Sequence, residues 1–194
     1  MNDLASYNFY CIKLSEQTIP LRVSEKLTLI KNLMPKDPIQ YSSRNNYAEP
    51  LPKSIISDIF NGYTFSPTIG FLSIVKGLSS VPYHTDGNKQ IAINIPIQDT
   101  SGMHVCITDE IPEKLVIVNE EITNSYGVPT YSYTYPMATK FTPLTEVVNN
   151  CDIPMLINIG KYHKAVNNSS NPAVFLTFRF SPQDEKEVFT YFYG

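Results

Sequence analysis

Four isoleucines at alternate positions, Ile91, Ile93, Ile95 and Ile97, constrain this chain more than any other feature. Side chains of an extended strand alternate between two faces, so this strand has one aliphatic face and a second carrying Ala92, Asn94 and Pro96. The aliphatic face needs apolar cover. Two segments ahead of it can supply that cover. Residues 24–33 open on Ser24, show apolar positions at helical spacing and stop before Pro35. Residues 52–60 have Pro52 near the start and Asn61-Gly62 at the end, the asymmetry of a short helix. Further strands are expected at 70–75, 103–108, 115–119, 153–159 and 173–181, with 7–14 also strand-like. Residues 42–52 are polar and read as a loop. The tail 188–193 is apolar enough to add an edge strand or to lie on the helices, and exposed it would be an association surface through which the chain forms oligomers.

Length and composition narrow the class. A chain of 194 residues is most economically one domain with a substantial core. Hydrophobic residues at 42% against 17% charged exclude a disordered class. A net charge of −3 gives no general basic field, which argues against a nucleic-acid partner. Cys11, Cys106 and Cys151 are odd in number and widely spaced, so neither a disulfide scaffold nor a zinc finger is supported. With no secretory leader and no apolar run of membrane-spanning length, the expected location is the cytoplasm, without a membrane partner.

The chemistry-bearing residues are few and ordered. His84 and Asp86 are two apart, and if 81–86 is extended they point to one side with Thr85 turned away. Their donors can then converge on a metal that His163 joins if the fold returns it. Two histidines and one carboxylate leave one face of the ion open, the arrangement of non-heme Fe(II) oxygenases. Arg179 and Ser181 share a face with Thr177 at the end of a mostly apolar strand. A buried guanidinium needs an anion, and with a hydroxyl beside it makes a fork for a carboxylate. Asn94 faces away from the isoleucines, where its amide either binds a ligand or makes a structural hydrogen bond. Asn158 poses the same choice. Lys161 and Lys164 flank His163 and are solvated by default, with an acidic substrate as the alternative. His104 has no neighbour at ligand spacing and reads as a non-ligand. Arg44, Tyr47 and the stripe Tyr131, Tyr133, Tyr135 are candidates for substrate contact, more simply read as loop and hairpin packing.

The order His84-x-Asp86, His163, Arg179-x-Ser181 resembles the Fe(II)/2-oxoglutarate-dependent oxygenases over residues 68–182. The resemblance implies a double-stranded β-helix of jelly-roll or cupin type, mainly β with N-terminal helices. The chain would then be a single domain, with a helical support region at 1–67, the β-helix core at 68–182 and a C-terminal tail at 183–194. It implies that His84, Asp86 and His163 bind Fe(II), and that Arg179 and Ser181, with Asn94 beside them, bind 2-oxoglutarate. Ascorbate would be a supporting reductant. The implied reaction consumes O2 and hydroxylates a C–H bond of a small molecule or a peptidyl side chain, releasing succinate and CO2. An amino acid or a prolyl- or asparaginyl-type side chain is the expected substrate. Two alternatives remain: a cupin-like metalloenzyme that does not use 2-oxoglutarate, and a non-catalytic barrel binding protein. No GxSxG nucleophile motif supports a hydrolase.

Overall fold

A computed structural model describes residues 9–14, 19–34, 46–87, 91–123 and 129–193. Two antiparallel sheets face each other. The large sheet runs β1 (Cys11–Lys13), β10 (Met155–Asn158), β5 (Ile91–Gln98), β12 (Ala173–Arg179), β3 (Ile69–Val75), β2 (Asn46–Pro50). The small sheet runs β4 (Ser79–Ser80), β11 (Tyr162–Asn167), β6 (Met103–Thr108), β9 (Val147–Asn150). A separate ribbon pairs β7 (Leu115–Thr123) with β8 (Pro129–Ala138). Strands distant in sequence lie side by side in both sheets, and the core is a double-stranded β-helix of the jelly-roll type.

The isoleucine alternation does what period two requires. Ile91, Ile93 and Ile95 join Leu72, Leu176 and Phe178 on the outer face of the large sheet. There they are covered by α1 (Ile19–Glu25), α2 (Leu27–Asn32), α3 (Lys53–Ile59) and α4 (Pro182–Tyr193), through Ile19, Ile30, Ile59 and Val188 among others. Each such side chain taken fully out of water contributes about 1.5–3 kcal/mol. Ala92, Met155, Ile157, Ala173 and Phe175 face the other way and meet Met103, Val105 and Ile107 of the small sheet. This second cluster is the filling between the sheets. Pro96 is tolerated in β5 because β10 pairs with that strand only as far as Asn94, so the missing N–H interrupts no ladder on that side. On the other side a register shift between Val174 and Phe175 accompanies it.

Local expectations differ from what forms. The single helix expected over 24–33 with Ser24 as its cap is replaced by α1 and α2, and Ser24 lies within α1. Residues 46–50, expected as loop, make the edge strand β2 against β3, where polar side chains cost little. Of the two placements expected for the aromatic tail, it takes the second, lying with the helices, and is itself a helix. Glu185, Val188, Phe189 and Phe192 recur at helical spacing and turn inward, while Tyr191 and Tyr193 stay exposed at 55% and 61%. Residues 81–86 are irregular, with isolated bridges only at His84, to Met137 and to His163. Arg44 lies outside the described residues, as do the side chains of Tyr47, Tyr131 and Tyr133. Among the described residues no helix is long and apolar enough to cross a membrane.

One end of the β-helix is locked by close backbone approach. Leu78 N–H donates to the Ser169 carbonyl at 2.8 Å, and Asn168 N–H donates to the Gly102 carbonyl at 2.9 Å. A Cβ added at Gly77 would collide with the Ser170 carbonyl, whose carbon would lie at 2.5 Å. Gly77→Ala is therefore expected to destabilise by about 1–3 kcal/mol through a forced backbone shift. Thermal unfolding checks it, and a variant as stable as the parent would show that this turn moves freely.

Candidate metal centre

His84 and His163 are joined by their backbones before their side chains do anything. His84 N–H donates to the His163 carbonyl and His163 N–H to the His84 carbonyl, both at 2.9 Å. In an antiparallel pair of this kind the two side chains stand next to each other. The rings lie 4.4 Å apart, centroid to centroid. Val81 N–H donates to Ala165 at 2.9 Å and Asp86 N–H to Ile159 at 3.1 Å, so residues 81–86 track β11 without forming a regular strand. The segment is pinned on its other side by β8, where Thr85 N–H donates to Pro136 at 3.3 Å and Ala138 N–H to Tyr83 at 2.7 Å. Asp86 thus reaches the same side as the two histidines, and donor atoms of all three residues lie within 4.8 Å of one another.

The protonation pattern follows from carbonyl partners. His84 Nδ1 lies 2.8 Å from the Pro82 carbonyl, and His163 Nδ1 lies 3.0 Å from the Lys161 carbonyl. A carbonyl can only accept, so each Nδ1 carries a hydrogen and, in the neutral ring, each Nε2 presents a lone pair. Asp86 Oδ1 is buried without a hydrogen bond and stands 3.5 Å from His84 Nε2. Either a proton on Nε2 or a metal ion between the two atoms would satisfy both, and only the metal would also engage His163. Burial alone would raise the Asp86 carboxyl, but Arg179, His163 and His84 outweigh it and hold it below the usual carboxylate range. Burial lowers the His163 imidazole to about 4, with His84 adding to the fall and Asp86 opposing it. A carboxylate and neutral imidazoles are the forms that bind a divalent ion.

His163 also sets an acid limit on the fold. Its proton is taken up near 6.5 when unfolded and only near 4 when folded. Between those values the unfolded chain holds more protons, so stability rises with pH and is lost as pH falls through that window. The metal-free protein should lose about 2 kcal/mol between pH 7 and pH 5 from this residue. Urea unfolding at the two pH values measures it, and His163→Gln should flatten the difference.

Arg179 stands on β12, opposite Ala92 of β5 and Ile69 of β3. Its Nη2 is 2.6 Å from Asp86 Oδ2, with side chains only 13% and 4% exposed, and its guanidinium carbon lies 5.6 Å from the Phe71 ring. Ser181 lies beyond the strand and caps α4: its hydroxyl donates to Asp184 Oδ2 at 2.5 Å and accepts from Asp184 N–H at 3.2 Å. The expected guanidinium–hydroxyl fork is thus replaced by a guanidinium–carboxylate pair. Asn94 is the cross-strand neighbour of Thr177, and its Oδ1 is buried without a hydrogen bond. Asn158 resolves to the structural choice: its Nδ2 donates to Phe9 at 3.2 Å and its Oδ1 accepts from Gly160 N–H at 3.2 Å, fixing the bend that leads to His163.

The lysines beside His163 are paired with carboxylates near the surface. Lys161 pairs with Asp109, which also accepts from the Tyr10 hydroxyl. Lys164 lies 3.5 Å from Glu146, which accepts from the Tyr83 hydroxyl, and 4.8 Å from the Tyr83 ring. Both lysines thus have protein partners beside β11. His104 Nδ1 is bonded to Asn150 Oδ1 at 2.8 Å across β6 and β9, apart from the triad. Tyr135, one of the stripe, is buried with its ring 5.3 Å from that of His84. Phe71 beneath Arg179 went unnoticed in the sequence, where only the pairing of β3 with β12 could have revealed it.

No family model and no curated protein matches the chain. Solved structures superpose on it over most of its length at low identity. A prolyl-4-hydroxylase from Pseudomonas putida shares 8% identity over 92% of this chain and 94% of its own, with a TM-score of 0.48. An oxidoreductase of the 2OG-Fe(II) oxygenase family from Burkholderia pseudomallei shares 10% over 89% and 94%, with a TM-score of 0.46. HygX from Streptomyces hygroscopicus, with nickel, 2-oxoglutarate and hygromycin B bound, shares 9% over 89% and 82%, with a TM-score of 0.44.

Proposed function

We propose that this chain is an Fe(II)- and 2-oxoglutarate-dependent dioxygenase. It would hydroxylate a C–H bond of an amino acid, or of a prolyl- or asparaginyl-type side chain in a peptide, and release succinate and CO2. The observation that carries the reading is the convergence of His84, Asp86 and His163, whose ligand atoms lie within 4.8 Å of one another. The metal would supply the site at which O2 and the oxo-acid react. The chain's part is to hold His84, Asp86 and His163 on one side of the ion and leave the other open. Arg179 supplies the cation for the distal carboxylate of 2-oxoglutarate, and Asn94 lends its amide on the same sheet face. Tyr135 borders His84, where it can exclude water from one flank.

The Arg179–Asp86 pair favours a second reading. In it Arg179 only orients a metal ligand, and the protein is a cupin-type metalloenzyme that does not use 2-oxoglutarate. Anaerobic thermal unfolding separates the two. At a hundred times the dissociation constant a ligand stabilises by about 2.7 kcal/mol, a rise of roughly 5–10 °C for a domain this size. Fe(II) alone should raise the transition, and 2-oxoglutarate should raise it further only when metal is present. Arg179→Met, measured with metal bound, should lose the second rise and keep the first. Metal stabilisation with no response to 2-oxoglutarate would establish the second reading.

A further inference from the structure

We propose that Glu146 is a positioning residue for the metal centre. Its carboxylate clips Tyr83 to Lys164 behind the His84–His163 pair, and so fixes how the two imidazoles face the ion. The inference rests on the metal reading of His84, Asp86 and His163 and adds to it a residue that is not itself a ligand.

Towards β11 residues 81–86 make no ladder. The His84–His163 pair is an isolated bridge, with single main-chain bonds from Val81 and Asp86 on either side of it. Pro82 has no N–H with which to extend it. Such a contact leaves the tilt of the segment against β11 to side chains, and the tilt sets how the two rings, 4.4 Å apart, face each other. In an antiparallel pairing the residues next to a bridged pair stand opposite each other on the other face. Those residues are Tyr83 and Lys164. Lys164 Nζ lies 4.8 Å from the Tyr83 ring, and Glu146 Oε2 joins the two: it accepts from the Tyr83 hydroxyl and lies 3.5 Å from Lys164 Nζ.

Both ends of the clip are held. Thr108 Oγ1 donates to the carbonyl of Thr145, just ahead of Glu146, at 2.7 Å. The Glu110 carboxylate accepts from Leu144 N–H at 3.0 Å, and from Thr145 N–H and Oγ1 at 2.6 and 2.9 Å. Tyr83 is buried, with its ring edge-on to Phe141 at 5.3 Å. The clip therefore runs from an anchored loop to both histidine-bearing segments. The side chains of Lys164 and Glu146 are 29% and 32% exposed, and an ion pair so wetted adds little to stability. A metal site answers differently, since residues that orient a ligand are each worth roughly 10–100-fold in affinity. Metal affinity thus separates a positioning role from a structural one.

Calorimetry of Zn(II) binding to the full chain tests this, with Glu146→Ala, Tyr83→Phe and His104→Ala beside the parent. His104→Ala is a matched control: it removes a side-chain bond of the same small sheet, to Asn150, away from the triad. Glu146→Ala should weaken Zn(II) roughly tenfold or more and His104→Ala should leave it unchanged, while the metal-free unfolding transition moves little in either. The visible absorption of the Co(II)-loaded protein, which reports ligand geometry, should change in Glu146→Ala and not in His104→Ala. Tyr83→Phe keeps the ring and removes only the hydroxyl, so its Zn(II) affinity decides the matter if Glu146→Ala fails to fold. Unchanged Zn(II) affinity in the deciding variant, or an equal loss in His104→Ala, overturns the positioning role. If the parent binds Zn(II) and His163→Ala does not, the metal reading survives that outcome and only the clip falls. Absence of Zn(II) binding by the parent overturns the metal reading and the clip together.

Discussion

Asp86→Ala is expected to cost about 3–5 kcal/mol of stability in the metal-free protein, the range found when one partner of a buried ion pair is removed. The Asp86 carboxylate holds Arg179 at 2.6 Å, and the two side chains are 4% and 13% exposed. Removing it takes away the carboxylate that the guanidinium faces in a nearly dry site. Arg179→Met has the converse fault, for it strands a buried carboxylate. The double substitution Asp86→Ala/Arg179→Met removes both charges together and should recover most of the loss, even though it cannot bind metal. Urea unfolding of the four proteins at neutral pH closes the cycle. Additive losses would mean that other contacts hold Arg179 and that the pair is incidental.

The elements that position this site were legible to different degrees. Period two in β5 and β12 is a strong signal, because a slip of one residue would turn every isoleucine of β5 into the filling between the sheets. It correctly set the aliphatic face under the helices, and Asn94, Thr177 and Arg179 on the other. The spacing of His84 and Asp86 was also readable, though the backbone that delivers them is no regular strand. What aligns them is pairing with β11, roughly eighty residues on, and no local pattern carries that. Ser181 shows the opposite failure. Ser181-Pro182-Gln183-Asp184 carries a helix start in plain view, with a capping serine, proline at the first helical position and an acid three residues after the cap. The β-rich composition of Phe189, Thr190, Tyr191, Phe192 and Tyr193 masked it. Helix won because Val188, Phe189 and Phe192 then reach one apolar cluster, which a strand at that edge could not offer all three. The bond between Arg179 and Asp86 was beyond the sequence altogether, since each residue alone reads as waiting for an external partner.

His163→Ala should separate metal from fold where Asp86→Ala cannot. The His163 imidazole is neutral when folded, pulled down to about 4 chiefly by burial, so its removal strands no charge. The bonds that join β11 to residue 84 are main-chain bonds and survive the substitution. What is lost is a buried ring, its contact with the His84 ring at 4.4 Å, and a donor to the Lys161 carbonyl. A cost of about 0.5–3 kcal/mol is expected, within the ordinary range for one substitution and below that of Asp86→Ala. The effect on the metal should be far larger. Loss of an outer partner of a ligand already costs roughly 10–100-fold in affinity, and His163 is proposed as a ligand itself. The folded variant should show no rise in its unfolding transition with Fe(II), and hydroxylation should fall to the rate without enzyme. A variant that unfolds outright would make the histidine pair a structural device. One that keeps its metal response would place the ion elsewhere, with Asp86 serving only as the counter-ion of Arg179.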